Sequence, residues 1–93
     1  MIVHVVCFKF RDEGDIGRVA ELLEALPPKV PVIRRLEVGR DVIRSPRSYD
    51  LVLTVEVDDL DDLDTYRRHP DHVAVGTVIS ELTTGVTVVD YER

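Results

Sequence analysis

Apolar periodicity in this chain switches between two and 3.6 residues in the order strand, helix, strand, strand, helix, strand. Few architectures satisfy that order. Ile2 to Phe10 is a strand-like run, with Ile2, His4, Val6, Phe8 and Phe10 on one face and Val3, Val5, Cys7 and Lys9 on the other. Asp12-Glu13-Gly14-Asp15 supplies turn chemistry and negative charge at a helix start. Ile16, Val19, Leu22, Leu23 and Leu26 then recur at helical spacing until Pro27-Pro28 stops the helix. Strands are predicted over Val32–Asp41 and Tyr49–Val57, joined by the loop 42–48. In the first, Leu36 and Val38 oppose Ile33, Arg35 and Glu37; in the second, Tyr49, Leu51, Leu53, Val55 and Val57 oppose Asp50, Val52, Thr54 and Glu56.

The second helical region opens on the acidic run Asp58–Asp64, which suits the positive end of a helix dipole and reads as a solvated face. Pro70 must interrupt it, because proline removes a donor and restricts the residue before it. Proline is favoured in a first helical turn, so a new segment is predicted from Pro70 to about Leu82, with His72, Val75, Ile79 and Leu82 on one face. Gly85 is taken as a turn, and Val86 to Tyr91 as the last strand.

Two βαβ-like halves around a central hairpin, with right-handed crossovers, give a ferredoxin-like α+β fold. It is a βαββαβ chain with a four-stranded antiparallel sheet and helices on one face. Residues 1–93 form one domain, since about 100–200 residues is the usual allotment. Hydrophobic residues are 44% of the chain, enough to drive folding and exclude disorder as the dominant state. Helices cover one side only. The other carries Val3, Val5, Cys7, Val52, Val89 and Tyr91, with Arg35, Glu37, Thr54 and Glu56 among them. That mixture is too apolar for water and too polar for an internal core, so the chain is expected to be its own partner in a two-fold dimer with sheets face to face.

Eighteen acidic residues against twelve basic give a net charge of −6, which argues against nucleic-acid binding. No apolar run reaches the 18 or more residues of a membrane span, and no secretory signal opens the chain. The single Cys7 reads as a buried structural thiol and fits a cytoplasmic location. Arg34, Arg35, Arg40, Arg44 and Arg47 concentrate positive charge on the central hairpin, to pair with the aspartate run or to meet an anionic ligand.

Chemistry concentrates in Tyr66-Arg67-Arg68-His69-Pro70-Asp71-His72. Tyrosine and histidine are acid–base side chains, and histidine titrates near neutrality. If His4 lies on the helix-covered face, Tyr66, His72 and His4 converge on an apolar cavity whose walls include Val6, Phe8, Val75 and Ile79, with His69 at its rim or capping the helix. The competing reading makes these residues hydrogen-bonded parts of the core. His69 and His72 have no identifiable third ligand, so no metal is expected, and no cofactor.

His4-Val5-Val6-Cys7-Phe8-Lys9-Phe10-Arg11-Asp12 resembles the opening of the stress-responsive A/B barrel (Dabb) family. Leu36-Glu37-Val38-Gly39-Arg40, Ser48-Tyr49-Asp50-Leu51, the Tyr66 to His72 motif and Val89-Asp90-Tyr91 extend the resemblance over the whole chain in order. It implies a ferredoxin-like protomer in a dimeric α+β barrel. A plant branch of the family contains polyketide cyclases that close poly-β-keto chains by intramolecular aldol condensation without a cofactor. Their catalytic tyrosine and histidine correspond to Tyr66 and His72, and their strand-one histidine to His4. Leu51 stands where that branch carries a further histidine. Three functions stay open: a small-molecule binder, a cyclase-like enzyme, and a subunit that acts only through its interface.

Overall fold

The computed structural model describes all 93 residues. Its elements are β1 (Ile2–Phe10), a short 3-10 turn (Glu13–Asp15), α1 (Ile16–Glu24), β2 (Arg35–Arg40), β3 (Leu51–Val57), α2 (Leu60–Arg68), α3 (Pro70–Leu82) and β4 (Thr83–Glu92). The four strands form one antiparallel sheet in the order β2-β3-β1-β4, which is the ferredoxin-like arrangement.

Register fixes the two faces. His4 stands opposite Val55, Val6 opposite Leu53 and Phe8 opposite Leu51, so the predicted apolar face of β1 meets that of β3. α1 buries Ile16, Val19, Ala20 and Leu23 against this face, and α2 and α3 add Leu63, Tyr66 and Ile79. A side chain such as Leu23, 2% exposed, contributes roughly 1.5–3 kcal/mol by leaving water.

Local chemistry moves several predicted boundaries. α1 ends at Glu24, before Pro27-Pro28, where the Leu26 carbonyl accepts from both Lys29 and Val30 in a following turn. β2 begins at Arg35 rather than Val32. Pro31 has no N–H to give a ladder, Ile33 N–H turns back to Val30, and cross-strand pairing starts where Arg34 N–H reaches the Glu56 carbonyl. β3 begins at Leu51 because the Ser45–Ser48 turn occupies the chain before it. Gly85 is not a turn. α3 passes directly into β4 at Thr83, whose backbone is already extended and whose hydroxyl donates to the Ile79 carbonyl. Gly85 pairs with Lys9 beside a register shift that leaves Thr84 as the extra residue of a bulge.

The hairpin arginines are largely taken up by local carboxylates. Arg34 forms a two-pronged pair with Asp58, and Arg35 reaches Glu56 and Glu37. Arg44 adopts φ 57°, a left-handed backbone uncommon for a side chain other than glycine. It is held there by its N–H to Asp41 and by its guanidinium to Glu13 and Asp50.

Asp50 is the buried hinge of this loop. Its carboxylate accepts the Phe10 N–H at 2.7 Å and lies 3.0 Å from Arg44. Burial acts to raise the Asp50 carboxyl, but the Phe10 bond, Arg44 and Lys9 outweigh it and hold it below the ordinary carboxylate value. A lowered folded value stabilises the fold above the unfolded value of about 3.9, and that contribution is lost as pH falls through the folded one. Asp50→Asn is therefore expected to cost about 1–2 kcal/mol at neutral pH. In denaturant titrations the gap to the parent protein narrows below about pH 4.

Candidate functional site

Between the sheet and α3 lies a cavity of about 220 Å³, lined by His4, Val6, Phe8, Leu23, Leu53, His72, Val75, Gly76, Ile79, Ser80 and Val86. Six of these are where the sequence placed a pocket: His4, Val6, Phe8, His72, Val75 and Ile79. Strand β1 delivers His4, Val6 and Phe8 by its alternation, and α3 delivers His72, Val75, Gly76, Ile79 and Ser80 as one stripe.

Tyr66 is not part of the lining surface. It is fully buried at the end of α2, with its ring 4.4 Å from that of His72 and 5.9 Å from that of His4, centroid to centroid. The three predicted acid–base side chains are thus brought together, with both imidazoles packed near the phenol ring. The Tyr66 hydroxyl is buried and has no hydrogen-bond partner. Burial pushes its ionisation up to about 12, so it remains a neutral donor through the physiological range.

Each imidazole of the pair is held by one nitrogen. His4 Nδ1 lies 2.5 Å from Asp90 Oδ1, and His72 Nδ1 lies 3.1 Å from the Arg67 carbonyl. A carboxylate and a carbonyl only accept, so Nδ1 carries the hydrogen in both rings. Each neutral ring then keeps its lone pair on Nε2, which has no protein partner. Burial pulls His72 below the ordinary histidine value; its hydrogen bond to Arg67 opposes this, and His4, Arg67 and His69 reinforce it.

His69 does not line the cavity, contrary to its expected place in the ligand-binding set. Its Nδ1 accepts from Asp71 N–H, which makes it the N-cap of α3, the alternative weighed for it from the sequence. Asp90, Leu23, Leu53, Gly76, Ser80 and Val86 escaped the sequence reading. Asp90 belongs to β4 and meets His4 only through the antiparallel register; knowing the strand order would have paired the two. No set of three or more His, Cys, Asp or Glu side chains gathers in metal-binding geometry.

The open face of the sheet also departs from expectation at two positions. Val3 is already fully buried within the single chain, beside Glu56, which binds Arg35 and Arg93. Cys7 is half-buried on that face rather than enclosed in the core. Val89 and Tyr91 remain 61% and 45% exposed, and the edge strand β4 exposes Val86 and Val88 on its helix side as well.

A buried hydroxyl without a partner costs stability, typically about 1–3 kcal/mol. Tyr66→Phe is accordingly expected to leave the protein as stable as its parent or more so, by denaturant unfolding. In an NMR titration, His72 should show a midpoint below the ordinary value of about 6.5. Because the unfolded chain then binds the additional proton, stability falls as pH drops through that range.

A family model described as the stress responsive A/B barrel domain (Dabb) matches residues 2–93. Among solved structures, a dimeric protein of unknown function with a ferredoxin-like fold from Bacteroides fragilis is 37% identical, with a TM-score of 0.86 over 99% of this chain and 95% of that one. A dimeric ferredoxin-like protein of unknown function from Thermobifida fusca is 24% identical, with a TM-score of 0.88 over 99% and 90%. A hydroxynitrile lyase from Passiflora edulis has the same fold, with a TM-score of 0.85 over 97% and 90% at 11% identity. Comparison with curated proteins found no match. With residues 2–93 inside the family match and a 37% identical relative aligned almost end to end, the chain belongs to the stress-responsive A/B barrel domain family.

Proposed function

We propose that the protein is a homodimer whose protomers each bind a small neutral carbonyl compound and move a proton on it. The observation that carries this reading is the pair of imidazoles, His4 and His72, that line an apolar cavity with their Nε2 atoms unpartnered. A few polar groups in an otherwise apolar cavity favour a small guest with a polar head. At about 220 Å³ the cavity is smaller than the roughly 300–1,000 Å³ of drug-sized sites, so the guest is small.

In this reading Tyr66, packed against the His72 ring, orients that imidazole. His72 Nε2 takes a proton from the carbon next to the carbonyl, and the C–H electron pair becomes the enolate. Asp90 is a positioning residue. It fixes the His4 ring and its tautomer, so that His4 Nε2 faces the guest as an acceptor or, once protonated, as a donor. Proton movement of this kind needs no cofactor. An intramolecular aldol condensation is the second reading, favoured by the match of Tyr66, His72 and His4 to the cyclase motif. There the enolate carbon attacks a second carbonyl of the same chain, and the new alkoxide takes the proton back from His72. Leu51, facing the core, leaves this site with two imidazoles on the cavity instead of three.

The test is deuterium exchange into a linear methyl ketone in D2O, followed by NMR. The protein is expected to accelerate exchange over buffer, and His72→Ala to remove on the order of 10²-fold or more of that acceleration. An exchange rate equal to buffer would overturn the reading.

The dimer is supported by the half-apolar open face and by the dimeric relative from Bacteroides fragilis. Val5, Val52, Thr54, Val89 and Tyr91 form its centre, with Arg35 and Glu37 at the margin. Light scattering should give twice the chain mass, and Val89→Arg should halve it. A parent protein that stays monomeric at micromolar concentration would sink this part of the proposal.

A further inference from the structure

Where β1 ends against the Ser45–Ser48 turn lies a second, more polar cavity of about 510 Å³, with no lining residue in common with the cavity beside α3. Three cations, Lys9, Arg11 and Arg44, line it against two carboxylates, Glu13 and Asp50, in a chain whose net charge is −6. Arg44 takes up both carboxylates, and Lys9 and Arg11 are left without one. Lys9 Nζ donates to the Ser48 carbonyl at 3.2 Å and lies 5.7 Å from the centre of the Tyr49 ring. Arg11 donates to the Glu81 carbonyl at 2.6 Å. Those partners are neutral, so neither charge is compensated.

The serine turn adds a donor. Ser45 Oγ accepts the Arg47 N–H, Ser48 Oγ accepts the Ser45 N–H, and the two hydroxyls bond each other at 2.9 Å. That bond uses one of the two hydroxyl hydrogens and leaves the other without a protein acceptor. Lysine has three N–H donors and arginine five, of which Lys9 and Arg11 each spend one on a carbonyl. The acceptors in the lining are occupied, Asp50 by Arg44 and the Phe10 N–H, and Glu13 by Arg44. Spare donors and spare positive charge therefore meet in one place.

We propose that this cavity binds a phosphate monoester, its phosphoryl oxygens held by Lys9, Arg11 and the Ser45–Ser48 pair. A phosphate ester brings negative charge and three strong acceptor oxygens and no competing donor. The cavity falls within the roughly 300–1,000 Å³ of small-molecule sites, so the phosphate is carried on a small polar body. Arg44, held at φ 57° by its carboxylates, braces the turn and leaves the ligand to the other two cations. The net charge of −6 opposes an anion at long range, so affinity comes from these short contacts. The site stands independently of the carbonyl reading above.

The probe is glycerol 3-phosphate, titrated into the full chain at low salt and followed by NMR amide shifts, with glycerol as the uncharged control. Saturable shifts are expected at Lys9, Arg11, Ser45 and Ser48, and none with glycerol. Lys9→Met and Arg11→Met should each weaken binding by about tenfold, and Lys9→Arg should keep it within about twofold. Arg18→Met removes an exposed cation outside the cavity and should leave affinity unchanged. Melting temperatures without ligand show that each variant folds, and the parent's should rise with glycerol 3-phosphate. If acetate or inorganic phosphate binds as tightly as glycerol 3-phosphate, the site does not select a monoester and the inference falls. It is equally overturned by the absence of saturable shifts at millimolar ligand, or by an Arg18→Met loss as large as that of Lys9→Met.

Discussion

The break between α2 and α3 is the constraint on which the candidate site depends. In an unbroken helix Tyr66 and His72, six residues apart, would point in directions about 120° from each other. Pro70 prevents that continuity, and His69 takes an extended backbone of φ −59° and ψ 134° before it. The helix restarts at an angle, and the two rings come within 4.4 Å. Hydrogen bonding follows the same logic. Asp71 N–H, the ordinary partner of the Arg67 carbonyl, goes instead to His69 Nδ1, and the freed carbonyl takes the His72 ring. One proline thus places His72, fixes its tautomer and assigns His69 to capping.

Elements with strong periodicity and their faces were legible in the sequence. His4, Val6 and Phe8 could be assigned to the buried face of β1 from alternation alone, and the register with β3 agrees. The restart at Pro70 followed from the missing proline N–H. What could not be read was set by partners distant in sequence. β2 starts where Glu56 offers a carbonyl, and β4 starts at Thr83, ahead of a bulge at Thr84, so that the glycine that looked like a turn pairs with Lys9 inside the strand. Asp90 is 86 positions from His4, and only the strand order joins them. Likewise the local pattern put Val3 on the open face but carried no sign that it would already be enclosed there.

Several places where the chain departs from good folding practice fall around the same cavity. Tyr66 buries a hydroxyl without a partner, Gly76 sits in mid-helix where alanine would fit, and Val86 leaves an aliphatic side chain at the lining of an open space. Each is a local loss that stability alone would remove by a single substitution. Their coincidence in one region, in a small domain with limited burial to spare, is the pattern expected where a site rather than a core is being maintained.

Electrostatics narrows what such a site receives. The cavity lining has no carboxylate, lysine or arginine; its polar groups are two imidazoles and Ser80. Asp90 lies behind His4, and burial keeps His72 toward its neutral form. An anionic guest would need a cation, yet Arg34, Arg35 and Arg44 are paired with Asp58, Glu56, Glu37, Glu13, Asp41 and Asp50 away from it. The net charge of −6 opposes its approach as well. A cationic guest would lose its hydration to aliphatic walls with no carboxylate beside it. Neutral molecules avoid both costs.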